Sequence, residues 1–86
     1  MRVQLDVPEY QASQGIQTTW EEGFTIAVQI DSEGAVLIQA DRAGLISLAL
    51  HLLTLAQEAV PVGSHMHYDE HNALENGSCE LIIEKR

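Results

Sequence analysis

Four side chains able to ligate a metal or carry a proton occupy alternate positions in His65-Met66-His67-Tyr68-Asp69-Glu70-His71. If this stretch is a strand, His65, His67 and Asp69 project from one face, because successive side chains of a strand point to opposite sides. Two imidazoles and a carboxylate so arranged are three ligands for zinc or a similar ion. His71 just past the strand, or His51 elsewhere, could add a fourth. The other reading is the solvent face of an ordinary strand, with Met66 and Tyr68 supplying its buried side. The same alternation marks Gly63-Ser64-His65-Met66 as native sequence rather than the remnant of a cleaved purification tag, since an inserted scar would break the period.

The spacing resembles two metal-binding patterns and departs from both. It is similar to the His-x-His-x-Asp-His run of metallo-β-lactamase-type hydrolases, but Glu70 stands before the last histidine, and that fold needs a far longer chain with further ligands. It is also similar to the first cupin motif, yet the glycine and the glutamates stand at the wrong distances, and a cupin barrel does not hold a long apolar helix at its centre. Other chemistries are weaker. Ser64 and Ser78 lack the strand-to-helix elbow of a nucleophile. Cys79 alternates with Leu81 and Ile83 and reads as a small buried residue. Gly63 and Gly77 make no phosphate cradle. The expectation is a protein without catalytic residues, bound metal or cofactor, with a metal-binding module built on His65, His67, Asp69 and His71 as the alternative.

Charge narrows the partners. The 86 residues include 13 acidic and 4 basic side chains, for a formal net charge of −9. Arg2, Lys85 and Arg86 lie at the chain ends, which leaves Arg42 alone between them. Phosphate binding needs clustered Lys and Arg, so nucleic acid and anionic membrane are disfavoured and a basic protein partner is favoured. A single cysteine allows no internal disulfide, and the longest apolar run, 43 to 56, is too short to span a bilayer. A single cytoplasmic domain is expected.

The elements that must position these groups follow from period and punctuation. Val3 to Val7 alternates and stops at Pro8, which predicts a short strand. Residues 9 to 22 show no period and read as a loop anchored by Ile16 and Trp20. Phe24, Ile26, Val28 and Ile30 share a face, and Asp31 to Gly34 turns the chain into a partner strand, Ala35 to Ala40. Asp41 is the expected N-cap of a helix over Arg42 to Ala59. On it Ser47, His51, Thr54 and Glu58 form one narrow polar stripe, and nearly everything else is apolar. That excess apolar arc requires a cover: the long loop, a partner protein, or a second subunit in a homodimer.

Ser64 to Asp69 and Cys79 to Lys85 complete the strands, with a turn at Asn76-Gly77. The predicted class is α+β, a small mainly antiparallel sheet of four to five strands with one long helix across it. Phe24, Ile26, Val28, Ile30, Leu45, Leu48, Ala49, Leu52, Leu55, Leu81 and Ile83 are the expected core.

From Ala35 onward the chain resembles a known family. Asp41-Arg42-Ala43-Gly44-Leu45, then Gly63-Ser64-His65-Met66-His67-Tyr68-Asp69, Leu74, Gly77-Ser78 and Glu80-Leu81-Ile82-Ile83-Glu84-Lys85 are similar to the immunity protein 32 family of bacterial polymorphic toxin systems. The resemblance implies a non-catalytic protein that binds a cognate toxin and blocks it. It makes His65, His67 and Asp69 candidates for the partner surface, with Ser78 beside the following turn. The acidic side chains around that strand, Glu70, Glu75, Glu80 and Glu84, join them as candidates for meeting a basic toxin.

Overall fold

The computed structural model describes residues 1–86. Ile26–Ile30 (β1) and Val36–Ala40 (β2) form an antiparallel hairpin in which Ile26 faces Ala40 and Ile30 faces Val36. Its turn is held by Asp31, whose Oδ1 accepts the N–H groups of Glu33 and Ala35. Gly34 takes the left-handed conformation, φ 84°, that an L side chain resists. Asp41 then joins hairpin to helix. Its Oδ1 accepts the Gly44 N–H at 2.7 Å as an N-cap and the Thr25 N–H at 3.1 Å. Those two donors hold its carboxyl below the usual range, Gly44 contributing most.

The helix, Arg42–Ala56 (α1), crosses the hairpin at Gly44. A Cβ there would stand 2.5 Å from the Thr25 carbonyl oxygen and 2.9 Å from Ile26, so only glycine permits this approach. The helix ends earlier than Ala59. Gln57 caps it, and the Lys85 ammonium donates to the carbonyls of Gln57 and Val60, placing a cation at the negative end of the helix dipole.

His65–Tyr68 (β3) and Leu81–Glu84 (β4) form the second antiparallel hairpin, pairing His65 with Glu84 and Tyr68 with Leu81. The class is α+β with four strands, and they make two separate two-stranded sheets rather than one. The loop between β3 and β4 bridges them, because Glu75 and Cys79 donate their N–H groups to the carbonyls of Ile26 and Val28. Val3 to Val7 forms no strand. Alternation qualifies a segment for pairing but supplies no partner edge, and both hairpins close without it. The 9 to 22 segment is a loop as expected, apart from one isolated bridge between Gln11 and Gly15, with Ile16 and Trp20 packed against the core.

The largest departure concerns which side of α1 faces inward. Of the expected core, Ile26, Val28 and Leu55 are buried and Phe24, Leu48, Leu81 and Ile83 pack against them. Leu45, Leu52 and Ile30 are instead 57, 48 and 61% exposed, and Ala49 is exposed too. The polar residues Ser47, His51 and Thr54 are the buried ones. The reason is hydrogen bonding. The loop before β1 lies over this side of the helix and brings backbone groups that need partners. Ser47 Oγ accepts the Glu21 N–H and donates to the Ala43 carbonyl, and His51 Nε2 meets the Thr19 carbonyl, whereas Thr54 Oγ1 is satisfied within the helix by the Leu50 carbonyl. An all-leucine face would have left those loop groups without partners, whereas the polar stripe receives them. Glu58 lies beyond the helix end and is exposed.

Candidate functional site

The β3–β4 hairpin shows two unlike faces. Met66, Tyr68, Leu81 and Ile83 turn inward, with Met66 and Tyr68 buried. The opposite face carries His65 and His67 on β3, with Glu84 and Ile82 as their cross-strand partners. Asp69 and Glu80 continue it one step past the Tyr68–Leu81 pair. His65 and His67 are exposed and Asp69 is half-buried, so the expected outward alternation of the three is what the register produces. Lys85 follows directly, but its ammonium is engaged at the helix end and does not reach these acids.

The register also selects which groups could share a ligand. One ligand atom each from His67, Asp69 and Glu80 lies within 4.8 Å of the others, and His67 Nε2 stands 3.3 Å from Glu80 Oε1. His65 is not part of this group; its Nδ1 faces the Gly63 carbonyl at 3.3 Å. His71 lies on the loop, where its N–H donates to Asp69 Oδ1. Glu80 therefore stands where the sequence suggested His65 or His71. The signal for it was the strand register, which the long loop between the strands conceals. The trio has the donor set of a divalent-cation site, but His67 and Glu80 are about half exposed and Asp69 Oδ1 already accepts two backbone N–H groups. Such a set holds an ion weakly, since nothing orients the imidazole from behind.

The remaining candidates have structural duties. Glu70 Oε2 accepts the Gly77 N–H and so closes the β3–β4 loop, in which Gly77 takes φ 87°. Glu75 is exposed while its N–H binds β1. Ser78 Oγ accepts the Val28 N–H at 3.1 Å and pins the same loop to the first hairpin.

Behind the histidine face lies a group that sequence reasoning did not assemble. His51 is fully buried; its Nε2 donates to the Thr19 carbonyl at 2.7 Å, which fixes the tautomer, and its Nδ1 accepts the Tyr68 hydroxyl at 2.9 Å. Trp20 meets the imidazole edge-on at 4.3 Å and stacks on Phe24. Burial lowers the His51 pKa, against a smaller opposing effect of the Thr19 carbonyl, and pushes the Tyr68 hydroxyl up to about 12. Both groups are neutral near pH 7 and serve as pins between helix, loop and β3. Beside them opens a shallow cleft of about 290 Å³, walled by Ile16, Trp20, Met66 and Tyr68 together with His65 and His67.

The outer β3–β4 face is thus an acid-rich strand surface on a small α+β chain. The family model for immunity protein 32 matches residues 35–86, more than half of the chain, and the chain belongs to that family. Neither the curated proteins nor the solved structures include a match to it. No helix is long and apolar enough to cross a membrane.

Proposed function

We propose that this chain is a non-catalytic immunity protein that neutralises a cognate toxin domain in the cytoplasm by binding it through the acidic outer face of the β3–β4 hairpin. The observation that carries the reading is that face itself. His65, His67, Asp69, Glu80 and Glu84 are gathered there without a cation among them, beside Glu70 and Glu75 on the adjoining loop. A toxin surface rich in Lys and Arg would be steered toward such a field and held in register by it. Membership of the immunity protein 32 family supports the same conclusion.

The experiment uses a toxin-domain gene adjacent to this one. Co-expression of the chain should rescue cells from that toxin, and failure of the wild-type chain to rescue would refute the function. Glu80→Lys with Glu84→Lys should slow association by about tenfold and flatten its salt dependence, because rim charges govern encounter more than residence. Rescue and association rate both unchanged by that pair would move the interface away from this face.

A further inference from the structure

One edge of β3 is unpaired, and a trough runs beside it. Lys85 donates its N–H to the Ser64 carbonyl, so in the register that sets His65 against Glu84 the backbone groups of Ser64, Met66 and Tyr68 point toward β4. Those of His65 and His67 point the other way. The His67 carbonyl bears this out, because it accepts Asn72 Nδ2 at 2.9 Å outside the hairpin. No loop or turn supplies a partner to the His65 N–H, the His65 carbonyl or the His67 N–H. The 290 Å³ cleft touches four consecutive residues, His65 to Tyr68, and only an edge presents both faces of a strand at once. A more open depression shares His65 and Ile16 with it and continues past Ser64 and Gly63. Together they follow the strand for about 17 Å, room for about five residues of extended chain. Ile16, Thr18 and Trp20, alternate residues of the loop before β1, form the opposite wall. That wall is fixed from behind, since the Thr19 carbonyl and the Glu21 N–H are bonded to His51 and Ser47 of α1.

We propose that the trough receives an extended segment of the toxin domain, which adds to β3 as a third strand. This mode of contact rests on the toxin-binding reading above and deepens it. Backbone chemistry makes the occupant a strand: three unpaired groups at strand spacing match the donors and acceptors of another extended chain, and a helix offers no such row. Side-chain chemistry sets its pattern, because its residues alternate between two faces. Those turned inward meet Ile16, Trp20, Met66 and Tyr68 and are apolar. Those turned outward lie beside His65 and His67, on the face that Asp69, Glu80 and Glu84 make acidic, and are Lys or Arg. This chain carries no segment of alternating apolar and basic residues, since Arg42 is its one Lys or Arg between Arg2 and Lys85, so a second copy is not the occupant.

The toxin domain encoded beside this gene is the probe. In its complex the His65 and His67 amide protons should exchange about 100-fold more slowly than in the isolated chain, measured by nuclear magnetic resonance. Those of Met66 and Tyr68 are bonded to β4 in both states and serve as the internal control. Thr18 is exposed and stands on the wall away from the outer β3–β4 face. Thr18→Arg puts a cation into the trough and should weaken toxin affinity by about 30-fold or more, whereas Thr18→Ser should bind as the wild type does. Far-ultraviolet circular dichroism confirms that each variant is folded. Unchanged affinity in Thr18→Arg, or fast exchange at His65 and His67 in the complex, overturns strand addition while wild-type rescue keeps the toxin reading standing. A wild-type chain that fails to rescue refutes the toxin reading and removes this proposal with it.

Discussion

Replacing two neighbours on α1 separates the observed helix orientation from the one its hydrophobicity suggests. His51→Ala removes a side chain with no exposed surface and both of its hydrogen bonds, to the Thr19 carbonyl and the Tyr68 hydroxyl. Each lost bond is worth about 1 kcal/mol, with more if a partner stays buried and unpaired, and the vacated imidazole leaves a cavity under Trp20. The sum is about 3–5 kcal/mol, a large fraction of the ~5–15 kcal/mol that a small domain has in total. Leu52→Ala, one residue away, removes a side chain that is 48% exposed. Half of a leucine's burial is worth about 1 kcal/mol, and alanine's higher helix propensity offsets part of it. Urea titrations followed by circular dichroism measure both. His51→Ala should shift the midpoint far more than Leu52→Ala. The reverse order, with Leu52→Ala costing 2–5 kcal/mol as a buried leucine does, would mean the leucine side is the inner one and refute this account.

Gly44→Ala ordinarily stabilises a helix by about 1 kcal/mol, but here the new methyl meets the Thr25 carbonyl oxygen, so the variant should be about 1–2 kcal/mol less stable in the same titration. Acidification should destabilise the fold through His51, whose folded pKa lies below the ordinary 6.5. The unfolded chain then binds the extra proton first, so this contribution is fully present above pH 6.5. It falls by at most about 1.4 kcal/mol per pH unit as pH drops through the window down to the folded value. Thermal melts between pH 7.5 and 5 should show that slope, and His51→Leu should remove much of it. Elemental analysis of protein purified without a histidine tag should find no stoichiometric zinc or iron. One metal per chain, lost in a His67→Ala, Glu80→Ala variant, would turn the weak cation trio into a genuine site.

Both hairpins and the helix start were legible because each is specified locally. Ile26 to Ile30 alternates, Gly34 supplies the turn, and Asp41 stands where an N-cap must stand. The inner face of α1 was not legible for a physical reason. Periodicity shows that a helix has two unlike arcs; which arc turns inward depends on what lies over it. Here a loop without a period of its own brings the Glu21 N–H and the Thr19 carbonyl against the helix, and only the Ser47–His51 side can receive them. The Val3 to Val7 strand failed for a related reason, since a strand exists through its partner. In the candidate site, the outward alternation of His65 and His67 could be read directly. The approach of Glu80 to His67 could not, because the residues between β3 and β4 conceal the register.

The orientation of α1 has one consequence for how the molecule is used. A helix with a single polar stripe must either expose that stripe and bury its leucines, or bury the stripe and expose them. Burying it couples α1 to the loop through specific hydrogen bonds and leaves the Leu45–Leu52 side outside. The outer β3–β4 face lies on the far side of its sheet from the helix, because Met66 and Tyr68 turn inward toward His51. A basic partner docked on that face would therefore meet the histidines and glutamates without disturbing the hydrogen bonds between α1 and its loop.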